Sequence, residues 1–442
     1  MPLVVLRAGT LAETDTFWQV RTGLLTMEHR SLPRVDPFSW TAHGEPWTLN
    51  SWGYNVVVGA AYQLAGLPGV ALVCGGIVLA TAAVVLVSAR RLGSSPLMAA
   101  AVLLLTSPVL VPWLSARPQL VDYVAVMVLL LLLVNVVDGR RPWVAVLAVG
   151  LVMALWVNLH AAALLGVAIA GLTALLLLTR RTTRGAGRRC LAATAAAAGG
   201  ALANPYGIGL FTQTASVKDA SSDVVVEWQH LDPTSPAQLV MLLIGIAGLV
   251  VAVRRRDAVF TSALMVTTLG SLLAIRILPV LVLAAVPVVA AALTGLTSDG
   301  RSRRVYRVVV AVSAAVLVSL VALSVPSLGH VGRPDTELYP AAVVTQIPDR
   351  CHVFNSYLVG GFVLLERPDV LVSIDSRNDF YGTQRVLAAE RLIRGEGDVT
   401  AGLAGAGCVL VPPSSGLAQR LTADPTWRLR ASEPGGALFV RA

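Results

Sequence analysis

The sequence predicts a multispanning α-helical membrane protein with a small α/β domain at its C-terminal end. Three observations predict it. Apolar runs of about 20 residues recur between residues 67 and 325, long enough at ~1.5 Å per residue to cross a ~30 Å hydrocarbon layer. Basic residues gather in alternate connections between those runs. After Pro326 the text changes to short apolar runs broken by charges and turn residues. A composition 55% hydrophobic and 13% charged, with mean hydropathy +0.72, excludes an ordinary soluble enzyme. The formal charge of +9 would suggest nucleic acid in a soluble chain, but here the positions of the charges matter more than their sum. Arg supplies nearly all of the positive charge, Lys218 being the lone lysine.

Residues 1–66 are expected to form an outer acidic, Trp-rich loop with an interfacial helix over Tyr54–Leu64. A transmembrane bundle of about ten spans follows over 67–326, and an extracytoplasmic α/β domain over 327–442. The spans are placed at 67–89, 95–114, 119–137, 143–160, 161–179, 190–204, 236–253, 258–275, 277–296 and 306–325. The 190–204 span is short and rich in Ala and Gly, which suits close helix packing. One set of connections holds sixteen arginines, from Arg90 and Arg91 through Arg140, Arg184 and Arg254 to Arg301 and Arg307; the alternate set holds Arg117, Lys218 and Arg276. The Arg-rich set is therefore cytoplasmic, and the acidic loop, the 205–235 loop and the C-terminal domain face outward. The opening MPLVVLRAGT is too short for a signal peptide or a span, so a first span is expected to be missing from this sequence.

In the outward domain CHVFNS, VLVSID and CVLVPP read as buried strands. GTQRVLAAERLIRG reads as an amphipathic helix, and WRLRASEPGGALFVRA as a hairpin turning at Pro434-Gly435-Gly436. Together they predict a small α/β sheet. Cys74 and Cys190 fall in spans as packing residues. Cys351 and Cys408 start two strands in a compartment that permits disulfides; two buried thiols is the favoured reading, and pairing the alternative.

The chain is organised around the stretch from Glu13 to Tyr54, which places Glu13, Asp15, Asp36 and Glu45 among Trp18, Trp40, Trp47 and Trp52. An interfacial belt accounts for the tryptophans but not for the carboxylates. Glu13 and Asp15, at i and i+2, can share a divalent cation, a phosphate or one proton, and Asp15 can deprotonate an acceptor hydroxyl. The plainer alternative is a helix N-cap at Thr14 or Asp15. Arg117-Pro118-Gln119 lies at an outer membrane boundary, where Arg offers a fork to phosphate or simply snorkels. Asn158 and His160, in WVNLH, are polar groups at a span's outer end, costly unless partnered. Asn204-Pro205-Tyr206-Gly207 is a sharp turn, and the loop beyond it holds Lys218, Asp219, Asp223, Glu227, Trp228 and His230. Arg276 is a single cation between two spans, seeking an anionic partner. In the outward domain Asn355, Tyr357, Asp375 and Arg377 follow strand ends and are expected to form one patch, with Gly360-Gly361 allowing close approach. There they either help to bind the acceptor or merely order the loop. Convergence of these groups on the outer face points to a phospholipid-linked sugar: Arg for phosphate, Trp for sugar faces, Asp for a hydroxyl.

The order DTFW, DPFSWT with GEPW, RPQ, WVNLH, NPYG, then FNSY with GG and DSRNDFYG resembles a bacterial branch of the GT-C membrane glycosyltransferases. That superfamily includes protein mannosyltransferases and lipid-A aminoarabinose transferases. The resemblance spans nearly the whole chain. It implies a GT-C-like bundle, a polyprenyl-phosphate sugar donor, and Asp15 as the first-loop catalytic or metal-binding acid, with Glu13 beside it. The sequence departs from the pattern at Glu13, where Asp is usual, at Gln19, where His is common, and at Asn50-Ser51-Trp52, which lacks a preceding Glu. The implied function is sugar transfer to an extracytoplasmic cell-envelope acceptor, with Asp15, Glu13 and His160 catalytic and a divalent cation as the cofactor the acids would hold. Substrate would be bound by Arg117, Gln119, Asn158, Arg276, Glu227 and Trp228, and by the outward patch. The alternatives are a non-catalytic assembly protein of the same fold and a transporter or flippase of a lipid-linked substrate. Against the latter stand the lack of an internal repeat and of a mid-span acid or lysine.

Overall fold

The computed structural model describes residues 1–213, 226–298 and 303–442; Lys218, Asp219, Asp223 and Arg301 lie outside the described residues. The chain divides into two compact units, one of Met1–Gly9, Cys74–Gly209 and Val226–Gly329, the other of Thr10–Val73, Leu210–Val225 and His330–Ala442.

The first unit is helical. Each of the ten expected spans coincides with a helix. Among the described residues seven helices are long and apolar enough to cross a membrane: Trp52–Arg91 (α2), whose residues up to Val73 belong to the second unit, Pro96–Trp113, Gln119–Asp138 (α4), Pro142–Leu159 (α5), Pro236–Arg254, Ile275–Gly295 and Arg303–His330. Leu164–Leu178 (α6) and Ala258–Leu273 are shorter apolar helices. The Ala- and Gly-rich segment forms Arg184–Leu202 (α7). Helix starts follow local chemistry. Ser95 accepts from the Met98 amide at 3.2 Å with Pro96 in the first turn, and Asp257 accepts from the Phe260 amide at 3.0 Å. Gly139, at φ 73°, closes α4 in the left-handed conformation.

Burial distinguishes lipid-facing from central helices. On α5 the residues Trp143, Leu147, Leu151 and Leu155, four apart, are each more than 60% exposed, an apolar stripe suited to lipid. The Leu278–Ser298 helix is enclosed instead, with Leu281, Val282, Ala284, Ala285 and Val286 wholly buried. Small residues let α5 and α7 approach: a Cβ on Gly200 would stand 2.3 Å from the Gly150 carbonyl oxygen.

The second unit joins the acidic stretch to the C-terminal domain. Its sheet runs β2-β1-β3-β5-β4, from β1 (His352–Asn355), β2 (Leu371–Val372), β3 (Cys408–Val411), β4 (Trp427–Glu433) and β5 (Gly436–Arg441). β1 pairs in parallel with β2 and β3, while β5 is antiparallel to β3 and β4. The helix α1 (Thr14–His29) packs on the Gly360–Glu366 helix, where a Cβ on Gly361 would come within 2.9 Å of the Thr14 carbonyl oxygen. Phe17, Tyr339 and Phe362 close that contact, with ring centroids 4.7 to 5.2 Å apart. The loop after α1 docks on the free edge of β2: Val372 N donates to Phe38 O at 3.1 Å and Trp40 N to Val372 O at 3.0 Å.

One expectation is corrected here. Cys351 and Cys408 are disulfide-bonded, with Cα atoms 6.3 Å apart, not two buried thiols. The parallel pairing of β1 with β3 sets Val353 opposite Cys408 and so brings Cys351, just ahead of β1, within bridging range. Cys74 and Cys190 are buried and free, as expected.

Candidate functional site

In the helical unit the polar groups gather where span ends and connections meet. Gln119 and Asp122, three apart in the first turn of α4, share a face. Trp156 and His160, four apart at the end of α5, reach the same carboxylate: Trp156 Nε1 donates to Asp122 Oδ1 at 2.7 Å, and His160 Nδ1 lies 2.8 Å from both Asp122 oxygens. With Nδ1 given to the carboxylate, His160 Nε2 turns to Arg276, whose Nη2 is 3.5 Å away. Arg276 lies over the Trp228 ring, 4.2 Å from its centroid. Ile275 N donates to Gln229 O at 3.1 Å, which holds the Val226–Trp228 turn beside Arg276.

Glu227, in that turn, is the anion of the set. Arg117 Nη1 forms an ion pair with its Oε1, and Gln119 Nε2 donates to Oε2 at 2.6 Å. Burial pushes the Glu227 carboxyl up, but Arg117, Arg276 and the two hydrogen bonds outweigh it and hold the group below the usual glutamate range. The carboxylate is therefore charged at neutral pH.

Of the residues singled out from sequence in this unit, the structure joins Arg117, Gln119, His160, Glu227, Trp228 and Arg276. Asn158, two positions from His160, points elsewhere: its Nδ2 donates to Ala154 O and Ala203 O, both at 2.7 Å, tying the end of α5 to that of α7. Sequence reasoning passed over Asp122, 7% exposed at the centre of the set. Its signal was available, since an acid inside the apolar text of a span is costly unless partnered.

In the second unit, Glu13 occupies the N-cap position of α1 without a side-chain cap bond, so neither Thr14 nor Asp15 is the cap. Asp15 accepts from Trp18 Nε1 at 3.2 Å. Glu13 and Asp15 are half-buried, and among the described residues no group of three or more His, Cys, Asp or Glu could hold a metal. A divalent cation there would draw its further oxygens from water or substrate.

The four residues expected to form one patch gather around the 373–378 loop. Asn355 Nδ2 donates to Ile374 O at 2.7 Å, and its Oδ1 accepts from Ser373 N at 2.9 Å. Tyr357 accepts from Asn378 Nδ2 and donates to Ser376 O at 3.4 Å. Arg377 is enclosed: Nη2 lies 2.7 Å from Asp375 Oδ2 and Nη1 2.8 Å from Asp36 Oδ1, all three side chains at 0% exposure. Trp47, Phe38, Phe380 and Tyr381 box the guanidinium, with centroids 4.4 to 5.3 Å from it. Burial opposes its charge, but Asp375, Tyr381 and Asp36 hold the group well above the ordinary arginine value. The patch is thus a buried frame reached through half-buried Tyr357, and it binds the DPFSW loop to the DSRND loop.

Asp379, next to that frame, also escaped the reading of candidate residues. Asn50 Nδ2 donates to its Oδ2 at 3.1 Å. Burial, reinforced by the charge of Asp15 and opposed by Arg377, pushes its carboxyl up to about 6.

No protein-family model matches this sequence, and no curated protein matches it. Solved structures do match in fold. ArnT from Cupriavidus metallidurans in the apo state superposes with a TM-score of 0.62 at 15% identity, covering 99% of this chain and 95% of ArnT. ArnT bound to undecaprenyl phosphate gives 0.61 at 14% identity over the same shares. The Archaeoglobus fulgidus oligosaccharyltransferase gives 0.58 at 11% identity, covering 91% of this chain; the chain spans 66% of the length of that enzyme. These are GT-C glycosyltransferases, and this chain has their fold.

Proposed function

We propose that this chain, with the GT-C fold as premise, is a glycosyltransferase that moves a sugar from a polyprenyl-phosphate donor to an extracytoplasmic cell-envelope acceptor. The observation that carries this reading is the gathering of Arg117 and Gln119 on the Glu227 carboxylate, with Arg276, on the neighbouring Trp228 ring, near enough for its charge to act on that carboxylate, at the ends of apolar helices. Two guanidiniums with a side-chain amide between helix ends are suited to a phosphate at headgroup depth. Structures of the GT-C fold have been solved with undecaprenyl phosphate on ArnT and with dolichol phosphate on the archaeal oligosaccharyltransferase AglB, which fits a lipid phosphate as ligand here.

In the proposed reaction Arg117 and Arg276 hold the donor phosphate, and His160, oriented by Asp122, positions it. Trp228 backs Arg276. Asp15, with Glu13, takes the proton from the acceptor hydroxyl. The acceptor oxygen bonds to the anomeric carbon, the bond from that carbon to the phosphate oxygen breaks, and polyprenyl phosphate leaves with the bond's electron pair. The outward frame around Asn355, Tyr357, Asp375 and Arg377 supports acceptor binding. A divalent cation held by Glu13 and Asp15 would stabilise negative charge developing there. Placement of the second unit outside the cytoplasm is supported by the Arg-rich connections and by the Cys351–Cys408 bridge, which suits an oxidising compartment.

The test is transfer from a panel of undecaprenyl-phosphate sugars to cell-envelope acceptors by the reconstituted protein, wild type against Asp15→Asn. Transfer by the wild type and its loss in the variant are expected. Equal transfer by both removes Asp15 from the mechanism. No transfer from any donor favours an assembly protein or a transporter of the same fold.

A further inference from the structure

Glu227 occupies the place an anionic ligand would take. Its two oxygens receive Arg117 and Gln119, and the charge of Arg276 acts on it. A carboxylate in such a fork presents the same acceptors as two oxygens of a phosphate. The residue sits in a three-residue turn, half-buried, outside the helices that form the bundle.

Charge counting narrows what can replace it. Among the described residues Arg117 and Arg276 bring two positive charges, Glu227 and Asp122 two negative ones, and His160 lies on Asp122. A phosphodiester carries one negative charge and can exchange for the Glu227 carboxylate without net change. A phosphomonoester carries about −1.5 to −2 at pH 7 and would leave excess negative charge beside Asp122. In surroundings poorer in water than bulk solvent that excess is penalised.

We propose that Glu227 is the resident counter-anion of this seat, that a singly charged lipid-linked phosphodiester displaces it one for one, and that Glu227 thereby selects phosphodiester over phosphomonoester ligands. The inference rests on Arg117 and Arg276 being phosphate ligands. A sugar-bearing donor enters by releasing the Glu227 carboxylate. Transfer converts the bound diester into a monoester of higher charge, and return of Glu227 to the two arginines favours its departure.

The test uses the full chain in lipid nanodiscs and two probes, undecaprenyl phosphate and its methyl ester, which carries a single charge. At pH 8 the wild type is expected to bind the methyl ester about tenfold more tightly than the monoester. Glu227→Gln should bind both more tightly, with the larger gain for the monoester, so that the preference shrinks to within about threefold. Glu227→Asp keeps the charge and should keep the preference. A wild type that does not discriminate overturns the inference. So does a folded Glu227→Gln protein that binds both probes more weakly, because the carboxylate would then be holding Arg117 in place; in either case the phosphate role of the arginines stands. Absence of binding of either probe to wild type and variants removes that role and the inference together.

Discussion

His160 Nδ1 lies 2.8 Å from both oxygens of Asp122, and Trp156 shares the same carboxylate at 2.7 Å. Two residues four apart on α5 thus converge on one acid of α4, and the side of the imidazole left over faces Arg276. Asp122→Asn keeps the shape but replaces one acceptor oxygen with a donor. The imidazole loses the partner that sets its orientation. The proposed sugar transfer should fall about 10- to 100-fold, the equivalent of a hydrogen bond to a charged group, while the variant remains folded. Transfer rates and thermal melting in detergent, measured side by side, check this; undiminished transfer would show that His160 needs no orienting partner.

The Arg377 box predicts a stability effect. Arg377→Met fills the space between Trp47 and Phe380 but leaves Asp36 and Asp375 buried without a cation. The expected cost is about 3–5 kcal/mol, enough to expose the DPFSW and DSRND loops to limited proteolysis. A variant as protease-resistant as wild type contradicts the pinning role.

Asp379 predicts a pH dependence. Its carboxyl is raised to about 6 from an ordinary 3.8, so the folded state holds the proton more strongly than the unfolded one. The stabilising contribution is fully present below about pH 4 and is lost as pH rises through about 6. Asp379→Asn removes this dependence. It should stabilise the protein at pH 8 by about 1–3 kcal/mol and change little at pH 4. Melting curves at the two pH values decide it, and a variant destabilised equally at both contradicts the assignment.

The Cys351–Cys408 bridge closes a loop with a sequence separation of 57 residues. Replacing both cysteines by serine should lower stability by about 2–4 kcal/mol, read as a lower melting temperature of the variant. Adding reductant to the wild type should reproduce the shift, and a melting temperature unmoved by either treatment contradicts it.

The apolar runs and the change in texture after Pro326 determined the apolar helices and the small C-terminal α/β sheet, because periodicity and hydropathy are local properties; the order of the strands and their mixed directions were not legible in the sequence. His160 and Arg276 were legible because polar groups within apolar text are costly and therefore conspicuous, Arg117 because it lies at an outer membrane boundary, and Glu227 because it lies in an unusually long loop. Asp122 was equally conspicuous in kind, but it meets His160 across two helices, and no spacing in the sequence encodes that meeting. Tertiary structure alone decided which cation meets which anion. Arg377 pairs with Asp36 some 341 positions away, the Glu13–Tyr54 stretch belongs to the same compact unit as the C-terminal sheet, and Cys351 reaches Cys408 because β1 and β3 pair in parallel. Such pairings follow from which faces pack against each other, and packing is set by the whole chain rather than by any window of it.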